Sequence, residues 1–208
     1  MEYPHASDIM EPSDRSSRLI KAQECLVLII DVQEPFLKGL TAEDRTKFLK
    51  KHIWLIQLCG VLEIPYILTA EDIAKNGSIE TSLESQVQKE AKDPQIFDKF
   101  IYSCWGQTEI RDTIKSTGRP VIVLAGLETD VCIMQSALDL LDHGYRVVVL
   151  VDLTYSRNEF EHSIGIRRME SHGAIVSTLK SWQEEVTGGL KTRINHLLTE
   201  KGLTEIPQ

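Results

Sequence analysis

The chain has 208 residues, long enough to bury one sizeable core without disulfides or a structural metal. Hydrophobic residues make up 42% and charged residues 26%, as in ordinary globular proteins, and the formal net charge is −8. An acidic surface repels phosphate backbones, which weighs against nucleic acid as a partner. No apolar run approaches the roughly 18 residues of a membrane span, so no membrane association is expected.

Taken in chain order, the first 20 residues read as a loosely ordered segment, polar and acidic, without the basic start and apolar stretch of a secretory signal. Residues 25–30, CLVLII, form an uninterrupted apolar run ending at Asp31. Residues 41–62 carry apolar side chains at helical spacing, with Glu43 and Asp44 in the expected first turn. A second apolar run covers 65–69, and the segment DKFIYSCWGQT follows, with Lys99 among Phe97, Phe100, Tyr102 and Trp105. Helical patterns at 110–116, 130–143 and 160–171 then alternate with apolar runs at 121–125, 146–151 and 174–177. His143-Gly144 and His172-Gly173 read as helix stops.

Runs rich in Val, Ile and Leu, with no polar residue at every second position, are strands buried on both faces, and such strands belong to parallel sheets. The alternation with helices predicts an α/β fold: an open, mainly parallel six-stranded sheet with helices on both faces, Rossmann-like. A single domain is expected over 21–187, followed by a tail at 188–208 that forms a peripheral helix or an oligomer contact. Neither G-x-G-x-x-G nor G-x-x-x-x-G-K-[ST] occurs, so a nucleotide-binding version of this architecture is disfavoured.

Ligands of open α/β sheets bind beyond the carboxyl ends of the strands. Asp31 stands there, as a catalytic acid or as a loop anchor. Cys132 follows the run VIVLAGL, where Gly126 is expected to leave the strand and Thr129 or Asp130 to cap the next helix. A sulfur in a first helical turn meets unpaired N–H groups and the positive end of the dipole, which lowers a thiol pKa; the alternative is a small buried apolar residue. Lys99 is either a surface side chain with a buried stem or a desolvated ammonium beside an anion. Four cysteines, Cys25, Cys59, Cys104 and Cys132, occur without a C-x-x-C pair or zinc spacing, which suits a reducing, cytoplasmic setting.

Three segments, LVLIIDVQEPF, KFIYSCWGQT and AGLETDVCIMQSALDLLDHGYRVVVLVD, together resemble the isochorismatase-like cysteine hydrolases, a family that includes the nicotinamidases. The resemblance spans most of the chain and implies a triad: Cys132 as nucleophile, Asp31 as general base and acid, and Lys99 beside both. It further implies an oxyanion hole from the backbone N–H groups of Glu128 and Cys132, with a cis peptide at Leu127–Glu128. Nicotinamidases carry a metal site with an Asp-x-His pair after the second strand. Here the segment reads YILTAEDIAKNG, with Glu71 and Asp72 read as a solvated loop, so no metal and no cofactor are expected.

Position beyond strand ends or in the lysine segment makes Gln33, Phe36, Trp105 and Tyr155 candidate substrate contacts, with core or interface packing as the alternative for the aromatics; Arg157 is a candidate cation at the mouth. The function implied is hydrolysis of a small amide or other carbon–nitrogen bond through a Cys132 thioester, by a homo-oligomer acting on a small molecule. Hydrolysis of a vinyl ether of the isochorismate kind, or a non-catalytic binding or scaffold role on the same fold, are the alternatives.

Overall fold

The computed structural model describes residues 18–90, 95–188, 198–199 and 206–207. Six strands form one sheet: β1 Cys25–Ile30, β2 Tyr66–Glu71, β3 Ile96–Lys99, β4 Val121–Leu127, β5 Arg146–Tyr155 and β6 Ile175–Ser177. The order is β3-β2-β1-β4-β5-β6 and every pairing is parallel. The order reverses between β1 and β4, so a crevice opens beyond their carboxyl ends.

Alternate side chains of β1 divide the core in two. Cys25, Val27 and Ile29 join one buried cluster, and Leu26, Leu28 and Ile30 join the other, as the period of a strand requires. The first cluster is closed by α2 (Ala42–Leu62), α4 (Thr81–Glu90) and α8 (Leu179–Val186), through Trp54, Leu55, Leu83, Val87 and Trp182. The second is closed by α5 (Thr108–Ser116), α6 (Met134–Asp142) and α7 (Glu159–Ser171), through Ile110, Ile114, Ala137, Leu140 and Met169. Two short helices lie between these elements, α1 at Glu34–Leu37 and α3 at Ile73–Asn76.

The expected strands and helices are present, with shifted ends. β4 does not stop before Gly126 but runs through it to Leu127, and β5 continues to Tyr155 instead of ending at residue 151. Gly126 sits at φ +117°, and a Cβ there would stand 2.0 Å from the Ile30 carbonyl oxygen, so only glycine carries the strand past β1. α4 and α8 were not read from the sequence, since TSLESQVQKE and LKSWQEEV offer few apolar positions against many polar ones. His143 and His172 are the C-caps of α6 and α7, each followed by a glycine at positive φ. The expected loose N-terminal segment lies outside the described residues as far as residue 17, and so does most of the expected tail. Of the tail, Leu198 is buried in the first cluster and Ile206 packs against it. Among the described residues no helix is long and apolar enough to cross a membrane.

Candidate active site

Asp31 is the first residue after β1 and takes a left-handed conformation, φ 51°, uncommon for a residue with a side chain and frequent where function fixes geometry. Its N–H donates to the Thr69 carbonyl on β2 (3.1 Å), and its Oδ1 accepts from Thr69 Oγ1 (2.7 Å). Lys99, the last residue of β3, brings Nζ to 2.8 Å from Asp31 Oδ2. The same ammonium donates to the carbonyls of Ile101 (2.9 Å) and Tyr102 (3.3 Å). Both side chains are essentially inaccessible, 1% for Asp31 and 0% for Lys99, so the pair is a desolvated one and Lys99 is no surface residue.

Cys132 arrives from the other side of the switch point. The chain leaves β4 through a cis peptide at Leu127–Glu128 and enters a π-helical turn, Thr129–Ile133, that runs directly into α6. Neither Thr129 nor Asp130 caps this turn. Thr129 Oγ1 is hydrogen-bonded to His162 Nδ1 (2.8 Å), and Asp130 accepts from Ser156 Oγ, so both side chains tie the turn to its neighbours instead. Cys132 Sγ lies 3.6 Å from Lys99 Nζ and 3.5 Å from Glu71 Oε2. The lysine segment is anchored to α6 as well: Ser103 Oγ donates to Asp139, and the Cys104 N–H donates to Ser136 Oγ (2.9 Å).

Burial sets the protonation chemistry. It pushes the Cys132 thiol well above the ordinary range, the Asp31 carboxylate adds to that, and Lys99 only opposes it. The lowered thiol pKa expected from a helix start is therefore corrected: lost solvation, with the Asp31 and Glu71 carboxylates adding to it, pushes the thiol upward. Burial also raises the Asp31 carboxyl, against the opposing pull of Lys99 and Thr69. For Lys99 burial works downward, but Asp31 and Cys132 outweigh it and hold the ammonium above the usual lysine range. The thiol is thereby made a weaker acid, and the Asp31 carboxylate a better base, than their solvated counterparts.

A cavity of about 220 Å³ opens on this group, lined by Asp31 and Cys132 with Phe36, Leu127, Val131, Tyr102, Glu71 and Glu128. A second hollow of about 300 Å³ shares Glu71 and Tyr102 with it and extends past Phe100 and Ile101. Among the candidate contacts, only Phe36 lines the cavity at the sulfur. Gln33 is fully buried and its amide is committed to backbone: Nε2 donates to the carbonyls of Glu71 (3.0 Å) and Gly77 (2.6 Å), and Oε1 accepts from the Glu71 N–H (2.7 Å). Trp105 packs in the second core cluster against His143 and Tyr145, with Lys115 over its ring. Tyr155 stands outside the cavity lining, its hydroxyl close to Gly39. Arg157 pairs with the Glu128 carboxylate (3.1 Å).

Two contributors were missed. Thr69 is the polar residue closing an apolar strand run, and Glu71 is an acid at a strand end just as Asp31 is. The sequence places Glu71 with Asp72 in a solvated loop, but the strand continues to residue 71, and Glu71 faces the sulfur. The Cys132 sulfur and one oxygen each of Asp31 and Glu71 lie within 4.8 Å of one another.

Fold and side chains together define a doubly wound α/β protein with an acid, an ammonium and a thiol gathered at its switch point. The Isochorismatase domain model matches residues 25–181, and the chain belongs to the isochorismatase-like hydrolase family. The secreted isochorismatase effector Isc1 of Phytophthora sojae is 30% identical over 168 residues, which are 80% of this chain and 78% of that protein. The structure of the MAR1 ribonuclease of Caenorhabditis elegans matches with a TM-score of 0.78 and 26% identity, over 91% of this chain and 95% of that one. The YcaC gene product of Escherichia coli, described as an octameric hydrolase of unknown specificity, matches with a TM-score of 0.78 and 22% identity, over 89% and 91%.

Proposed function

We propose that this protein hydrolyses a small amide, or another non-peptide carbon–nitrogen bond, through a thioester on Cys132. The observation that carries the reading is the desolvated Asp31–Lys99 pair set against the Cys132 sulfur at the floor of a small cavity. Attack by Sγ on the substrate carbonyl carbon is accompanied by transfer of the thiol proton to Asp31, one of whose carboxylate oxygens lies within 4.8 Å of the sulfur. The carbonyl electron pair moves to oxygen, and the backbone N–H groups of Glu128 and Cys132 hold that oxyanion. Collapse breaks the carbon–nitrogen bond, and Asp31 returns the proton to the departing nitrogen. Water then attacks the thioester with Asp31 again as base, releasing the acid and restoring the thiol.

Lys99 keeps Asp31 ionised for both half-reactions and stabilises the sulfur as negative charge develops on it. Its ammonium stands among the acids and the sulfur, 2.8 Å from Asp31 and 4.0 Å from Glu71, and supplies positive charge to the site. The four cysteines are free and buried, which supports a reducing, cytoplasmic setting. The octameric Escherichia coli relative, together with Phe100, Ile101 and Tyr102 exposed beside the site, supports a homo-oligomer.

A panel of small amides, ureas and N-carbamoyl compounds, screened for ammonia or amine release, tests the proposal. Turnover lost about 10³-fold or more in both Cys132→Ala and Asp31→Asn supports it. Turnover that survives Cys132→Ala instead favours an acid–base route without a nucleophilic sulfur.

A further inference from the structure

We infer that Glu71 sets the charge selectivity of this site, favouring substrates that present N–H donors or positive charge beside the scissile carbonyl and repelling carboxylates and phosphates. The inference rests on the thiol reading of Cys132 given above and adds the class of substrate to it. Glu71 Oε2 is 3.5 Å from the sulfur, and its side chain is about one-quarter accessible, so the carboxylate faces both the nucleophile and arriving solute. It borders the cavity at the sulfur and the hollow leading from it. Its backbone is clamped: the N–H donates to Gln33 Oε1, and the carbonyl accepts from Gln33 Nε2 and from Asn76 Nδ2 (2.9 Å). A fully buried glutamine therefore holds the strand end that presents this acid.

The charges around the cavity lean one way. Three of its lining residues are acids: Asp31, Glu71 and Glu128. Of the cations nearby, Lys99 is inaccessible, committed to Asp31 and two carbonyls and only 4.0 Å from Glu71 itself, and Arg157 is paired with Glu128. Among the described lining residues no lysine or arginine is offered to an incoming anion. Glu71, as an acceptor-only group, has open capacity for a primary amide, urea or ammonium N–H. An anionic substituent in the same place meets like charge in a partly desolvated pocket.

Competing alkylation of Cys132 reads this without any knowledge of the substrate. Iodoacetamide is neutral, iodoacetate anionic and 2-bromoethylammonium cationic; each loses halide to the sulfur. Rates at Cys132 are followed by peptide mass mapping and normalised to those of N-acetylcysteine. In the wild type the normalised order is ammonium above amide above acetate, and Glu71→Gln raises the acetate-to-amide ratio about tenfold, as removal of one like charge at close range requires. Glu71→Asp keeps the wild-type order. A purely structural role for Glu71, or a changed thiol acidity, moves all three rates together and leaves the ratios fixed; unchanged ratios in folded Glu71→Gln overturn the inference while leaving the nucleophile intact. Failure of every reagent to label Cys132 overturns the thiol reading and the selectivity with it.

Discussion

Replacing Lys99 by Met removes a cation from the most desolvated part of the molecule while keeping much of its volume. In the wild type Asp31 Oδ2 has the ammonium at 2.8 Å and Oδ1 has Thr69 at 2.7 Å. The variant retains only the Thr69 hydroxyl, and the carbonyls of Ile101 and Tyr102 lose their donor as well. Breaking a buried pair by deleting one partner costs about 3–5 kcal/mol, because the remaining charge stays buried without compensation. Lys99→Met is expected to lose that amount in urea unfolding at pH 7, and Asp31→Asn/Lys99→Met to recover most of it. Loss of Lys99 raises the folded-state Asp31 pKa still further above its unfolded value. The deficit is therefore largest above that raised pKa and shrinks as pH falls through it, when Asp31 becomes neutral. A loss below about 1 kcal/mol, or a deficit that does not shrink in acid, would refute the picture of a dry ion pair.

Three further outcomes follow from other parts of the molecule. His52 is fully buried, and burial lowers its pKa to about 4 from an ordinary 6.5. A depressed base of this kind gives stability that is present above pH 6.5 and lost as pH falls towards 4, about 3 kcal/mol in all, so His52→Leu flattens the stability–pH curve over that window in denaturant titrations. Gly126→Ala forces a Cβ onto the Ile30 carbonyl at positive φ and is expected to destabilise by about 3 kcal/mol or more, visible as a lower melting temperature; a neutral substitution there contradicts the β1–β4 geometry. Because burial raises the Asp31 carboxyl, the acid limb of kcat/KM lies above the usual carboxylate range, and it disappears in Asp31→Asn along with most of the activity.

Much of the architecture was legible because continuous Val/Ile/Leu runs and helical periodicity are strong local signals. Asp31 and Cys132 were legible for a related reason, since chemistry gathers where buried strands end. Side-chain commitments were not legible. Gln33 and Asp31 stand two residues apart after the same strand, yet one amide serves backbone groups while the other side chain faces the sulfur, and only the loop path around Gly77 decides which. Glu71 was obscured by a two-residue error in the end of β2, which placed it in a loop instead of beside the nucleophile. The thiol acidity is not legible because a helix start is a local feature, whereas the desolvation of the sulfur and the carboxylates of Asp31 and Glu71 arise from segments distant in the chain. Trp105 shows the same limit, since an aromatic near Lys99 fits a pocket or a core equally well until α6 is in place.

The central claim is covalent catalysis at Cys132, and its most direct measurement is intact-protein mass spectrometry after rapid acid quench during turnover of an amide or a slow ester. The account predicts an acyl mass increment that maps to Cys132, decays on the timescale of turnover and is absent from Cys132→Ala. Turnover with no adduct at any time, or an acyl group mapping to another residue, would contradict it.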